Sequence, residues 1–109
     1  MYDRLAEWDK FAEQVRRHII LYTLKQYGNP EGNEQVDGFS VEDCWTNAQR
    51  YYNRRNARVR GNKELMRDPI KVAHYMSFIY SKLRNELGEP DVYSQSDQPH
   101  QTVFEPGLG

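Results

Sequence analysis

Between Trp45 and Lys63 the sequence holds six bases, Arg50, Arg54, Arg55, Arg58, Arg60 and Lys63, with Tyr51 and Tyr52 among them and no acid. Guanidinium groups bind phosphate oxygens in bidentate fashion, and tyrosine rings stack on nucleobases. This combination points to a nucleotide, an oligonucleotide or a nucleic-acid backbone as ligand. On a helix Arg50, Arg54 and Arg58 share one face bordered by Tyr51, whereas Arg55 turns toward the apolar stripe. The same charges also fit a solvated face neutralised by the acidic segment 31–43, or a surface that meets a protein partner. A second polar group, His18, Tyr22, Tyr27, His74 and Tyr75, is placed to line a gap between the first and last helices, and hydrogen bonding within a core explains those residues equally well.

Other chemistries find less support. His18 and His74 lie far apart in sequence, and no pair of histidines occurs four residues apart on one helix, so no zinc site is expected. Glu31, Glu34, Asp37, Glu42 and Asp43 lack the alternating oxygen ligands of a calcium loop and are assigned to capping and solubility. Cys44 falls on an apolar helical face, where a thiol acts as a small hydrophobe. There is neither a GxSxG elbow nor a Walker-type phosphate loop. The expectation is a protein acting without catalytic residues, cofactor or metal.

Three helices must position these groups. Leu5, Trp8, Phe11, Ala12, Val15, Ile19 and Tyr22 recur at steps of three and four, which predicts a helix over about 3–26, capped by Asp3 and closed near Gly28. A loop with three glycines follows at 27–39. Ser40-Val41-Glu42-Asp43 resembles a capping box, and Val41, Cys44, Trp45, Ala48, Tyr51 and Tyr52 give the apolar face of a second helix over 41–56. Asp68-Pro69 reads as an N-cap with proline at the first helical position, predicting a third helix over 69–87, with Lys63–Arg67 as a short preceding turn. Gly88-Glu89-Pro90 ends it. The fold class is therefore all-α, with almost no strand.

The chain of 109 residues has room for one domain, 1–88, followed by a tail, 89–109. All 15 bases lie in 1–88 with 12 of the 16 acids, so the body carries +3 while the tail, with three prolines and four acids, carries −4. Such a tail buries little apolar surface and is expected to be mobile. A single cysteine leaves the fold without an internal disulfide. No apolar run approaches the roughly 18 residues of a membrane span, and Met1–Lys10 is too charged for a signal peptide, so an intracellular, cytoplasmic protein is expected. Many large rings for a thin three-helix core leave a homo-oligomer as an even prospect.

The pattern Tyr22-x4-Tyr27-Gly28, Phe39-Ser40-Val41-Glu42-Asp43-Cys44, Ala48-x2-Tyr51, Arg58-x2-Gly61-Asn62 and Arg67-Asp68-Pro69-Ile70-Lys71-Val72-Ala73-His74-Tyr75 resembles a group of small proteins of tailed bacteriophages, over roughly residues 3–88. The resemblance implies a phage-encoded protein in a host cell, without implying an activity. More distantly, Asp68-Pro69-Ile70-Lys71-Val72-Ala73-His74-Tyr75 is similar to a late helix of all-α MazG-like nucleotide pyrophosphohydrolases and phage nucleotide-modification-associated proteins. Those hydrolases hold magnesium with Glu-x2-Glu and Glu-x2-Asp pairs. Here Glu31-x2-Glu34 has the first spacing within a Gly/Pro loop, and no Glu-x2-Asp follows. That likeness implies a pocket that keeps a nucleotide while its metal chemistry is lost. The resulting expectation is a non-catalytic phage-type accessory protein binding a phosphate-bearing ligand. The alternatives are a module that modulates a host or phage protein, and a residual pyrophosphohydrolase.

Overall fold

The computed structural model describes residues 2–23, 38–54 and 61–98. Among them lie three α-helices and no strand: α1 (Arg4–His18), α2 (Val41–Arg54) and α3 (Asn62–Leu87), with a π-helical turn, Ile19–Thr23, continuing α1. The all-α reading holds. Residues 24–37, which contain Tyr27, Gly28 and the acidic loop, lie outside the described set, as do 55–60 and 99–109.

Local capping follows the sequence closely. Leu5 N and Ala6 N both donate to Asp3 Oδ1 at 3.1 Å, satisfying two of the amides that the first turn leaves without carbonyl partners. At α2 the capping box is reciprocal: Asp43 N donates to Ser40 Oγ at 3.0 Å and Ser40 N donates to Asp43 Oδ2 at 2.9 Å. An arrangement of this kind is worth about 1 kcal/mol. Gly88 closes α3 at φ 65°, the left-handed conformation that a side chain disfavours.

The start of α3 differs from expectation. The helix begins at Asn62 after Gly61, so Asp68 is no N-cap but a buried residue within the helix, and Pro69 is internal. Lys63, Glu64, Leu65, Met66 and Arg67 are among the best helix formers, and this run extends the helix upstream of the proline. Pro69 has no N–H for the carbonyl four residues earlier, Leu65, which is the local cost of the longer helix.

Among the described residues the buried apolar ones are Cys44, Ala48 and Ile79, on the two helices that pack most extensively, α2 and α3. Burial raises the Cys44 thiol pKa, which keeps it protonated. The first helix corrects the sequence reading of a buried stripe. No residue of α1 is buried, and at its N-terminal end Leu5 and Trp8 are 76% and 60% exposed. Phe11, Ala12, Val15 and Ile19 are half-buried. A ladder of rings crosses from α1 to α3 and α2: Tyr22 to His18 at 5.2 Å, His18 to His74 at 6.4 Å, His74 to Phe78 at 4.4 Å, Phe78 to Tyr75 at 5.8 Å and Tyr75 to Tyr51 at 6.0 Å between centroids. Aromatic pairs at such separations contribute roughly 0.5–1.5 kcal/mol each beyond area burial.

The start of the tail is attached to α3. The Tyr80 hydroxyl and Arg84 Nη1 donate to Asp91 Oδ1 at 2.9 and 3.0 Å, and Val92 N donates to the Tyr80 oxygen at 3.1 Å. The tyrosine hydrogen bond, followed by the arginine contact, holds the Asp91 carboxyl below its ordinary pKa. Of the tail expected to be mobile, 89–109, residues 99–109 lie outside the described residues.

Candidate functional site

Where α1 passes into its π turn, it diverges from the first turns of α3 and leaves a cleft of about 580 Å³. Ligand pockets commonly occupy roughly 300–1,000 Å³. Most of the wall is apolar, with Phe11 and Leu21 on one side and Met66, Pro69 and Ile70 on the other. Three cations line it: Arg17 from the last turn of α1, and Lys63 and Arg67 from α3. Gln14, His18 and Tyr22 complete the lining, and no carboxylate is among the described residues that form it.

Helical geometry explains the arrangement. Lys63, Arg67 and Lys71 are spaced four apart, a row that drifts by about 40° per step around the helix. The first two members therefore face the cleft, and the third turns toward α2. The Arg67 guanidinium lies over the Tyr22 ring at 5.5 Å from its centroid, and Lys71 Nζ lies over Tyr51 at 5.2 Å. Glu64, one turn earlier on the same helix, accepts from Arg67 Nη1. A guanidinium has five N–H donors, so one carboxylate contact leaves others for a ligand. π-Helical turns recur at functional sites, and here one carries Leu21 and Tyr22 into the wall.

Two histidines stand beside and behind the cleft. His18, in its lining, has a lowered pKa, first because burial penalises its charge and then because Lys71 and Arg67 repel it. His74 is lowered to about 4, by burial and then by His18. Both rings are neutral near pH 7.

The structure thus divides the sequence-derived candidates. His18 and Tyr22 line the cleft, whereas His74 and Tyr75 lie behind it in the ring ladder. Arg50 and Arg54 are exposed one turn apart on α2, and the Arg54 guanidinium lies over Tyr51 at 5.9 Å. Tyr27, Arg55 and Arg58 lie outside the described residues. Sequence reasoning misses Arg17, Arg67 and Lys71, and counts Lys63 only as the end of the basic run. The signal for the α3 cations is the i, i+4 row of bases from 63 to 71, which a helix start at Asp68 hides. Among the described residues no three or more His, Cys, Asp or Glu side chains gather to hold a metal ion, and Glu31 and Glu34 lie outside that set. No described helix is long and apolar enough to cross a membrane. The chain matches no family model, no curated protein and no solved structure.

Proposed function

We propose that this chain is a non-catalytic accessory protein of the phage type that binds a phosphate-bearing ligand, a nucleotide or nucleic acid. The observation that carries the reading is the cleft, in which Arg17, Lys63 and Arg67 from two helices line a largely apolar space without an opposing carboxylate among the described residues of its lining. Cations over an apolar, ring-bearing wall suit a ligand with an anionic end and a flat base. The cations neutralise phosphate through charge-assisted hydrogen bonds, and the rings receive the base. Outside the cleft lining, Arg54 of α2 and Lys71 of α3 both lie over the Tyr51 ring.

A thermal-shift screen against nucleoside mono-, di- and triphosphates and cyclic dinucleotides tests this reading. A ligand at about a hundred times its Kd is expected to stabilise the fold by about 2.7 kcal/mol, which raises Tm by roughly 10 °C for a domain of this size. Arg67→Ala should abolish the shift. Equal shifts in the parent and in Arg67→Ala, or none with any phosphate compound, would remove the cleft as the site.

One observation favours a second reading, a protein interaction module. Tyr2, Leu5 and Trp8 leave an apolar strip at the open end of α1, with exposures of 74%, 76% and 60%. If it meets a second copy or another protein, the Trp8 emission should shift to the red on dilution, and Trp8→Glu should abolish the concentration dependence. An emission maximum constant from micromolar to nanomolar protein would count against self-association.

A further inference from the structure

We infer that the ligand is a single strand of nucleic acid at least two nucleotides long, which runs from the cleft across Lys71 to the Tyr51–Arg54 surface of α2. This inference rests on the phosphate-binding reading above and extends it from one site to two. Its basis is a pair of matching units on either side of one helix. On the α1 side Arg67 sits over Tyr22, and on the α2 side Lys71 sits over Tyr51, with Arg54 over the same ring. Arg67 and Lys71 are one helical turn apart, about 6 Å along α3.

In each unit a cation lies over the ring, so a base stacks on the guanidinium plane of Arg67 or Arg54 while its phosphate meets the row of cations. Electrostatics joins the two units, since Lys71 acts on His18 in the cleft while its ammonium lies over a ring of α2. The cleft lining alone accounts for one nucleotide and does not extend to Lys71, Tyr51 and Arg54. A duplex fits poorly, because a space of about 580 Å³ between two helices admits a base and its phosphate but not a paired helix roughly 20 Å across. The row is not confined to either deoxyribose or ribose, since both sugars carry the same backbone charge.

The test is a length series on the full chain, with thymidine monophosphate and oligothymidylates of two, four and eight residues, followed by anisotropy at several salt concentrations. Oligouridylates of the same lengths distinguish RNA from DNA, and a duplex of eight pairs is included. Affinity should rise at least tenfold from the mononucleotide to the tetranucleotide. Lys71→Gln and Arg54→Gln should each weaken the tetranucleotide by about three- to tenfold and reduce the salt slope by about 0.7 for each phosphate that is no longer neutralised, and Arg54→Gln should leave the mononucleotide unchanged. Arg54 is exposed on α2, so its replacement reports on the strand path even if Lys71→Gln disturbs folding. A tetranucleotide bound no more tightly than the mononucleotide, or unaffected by Arg54→Gln, would overturn the extended site while leaving the cleft intact. Equal affinity for the duplex would overturn the single-strand assignment. Failure of every length, mononucleotide included, would overturn the phosphate-binding reading itself.

Discussion

Ile79→Ala is expected to lower the unfolding free energy by about 3 kcal/mol, within the roughly 2–5 kcal/mol typical of isoleucine truncation in a core. The side chain is 4% exposed, and the other buried apolar residues, Cys44 and Ala48, are small. Ile79 is therefore the largest of the buried apolar side chains among the described residues. A chain of this length belongs near the low end of the range of about 5–15 kcal/mol, so the substitution removes a large share of the total. The loss also reaches the site, because α1 packs mainly against α3 and depends on that helix for support. Urea unfolding followed by far-UV circular dichroism measures the change. Leu87→Ala is the control: its side chain is 68% exposed, and its replacement should cost less than about 0.5 kcal/mol. Comparable losses in the two variants would show that the α2–α3 interface is not the stabilising centre of the fold.

The parts legible in the sequence are those decided by neighbours along the chain. The Ser40–Asp43 box and the Asp3 cap need only three or four consecutive residues, and Gly88 needs only its own freedom at positive φ. The α3 start is misread because two local signals compete. Asp68-Pro69 has the chemistry of a helix start, and the Lys63–Arg67 run has the propensity of a helix interior; five favourable residues upstream outweigh a good cap. That shift of seven residues is what conceals the row Lys63, Arg67 and Lys71. Apolar periodicity marks the face of α1 correctly but cannot say what covers it. Leu5 and Trp8 belong to the same stripe as Val15 and Ile19, yet only the C-terminal part of that stripe meets α3. The π turn depends on how α1 meets α3, and no spacing of residues announces it. Of the candidate residues, His18 and Tyr22 are legible because they sit on the contacting stripe, where α1 and α3 first separate.

The His18–His74 contact makes a second large effect, on stability against pH. Burial and the neighbouring His18 ring depress His74 from 6.5 to about 4 in the folded chain. Above 6.5 both states hold it neutral, and this group contributes no pH dependence. As pH falls below 6.5 the unfolded chain takes up a proton that the folded chain refuses, so stability declines until about pH 4, where the folded ring is protonated too. The full depression corresponds to roughly 3 kcal/mol, and partial exposure of the ring to solvent reduces the expected loss to about 2 kcal/mol. His18, depressed for the same reason and by Lys71 and Arg67, adds in the same direction. Asp91 does not contribute in this window: its carboxyl is depressed, so its part of the stability is lost only as pH falls below its ordinary value of 3.8. Urea titrations at pH 7.5 and 4.5 should therefore differ by about 2 kcal/mol in the parent, and His74→Gln should remove most of that difference. The same chemistry links to the ligand. A phosphate held by Arg67 would offset the repulsion that adds to burial in lowering His18 and raise its pKa, so binding should tighten as pH falls and that ring takes up a proton. His18→Gln should remove that pH dependence if the phosphate lies in the cleft, and leave it unchanged if the phosphate lies elsewhere.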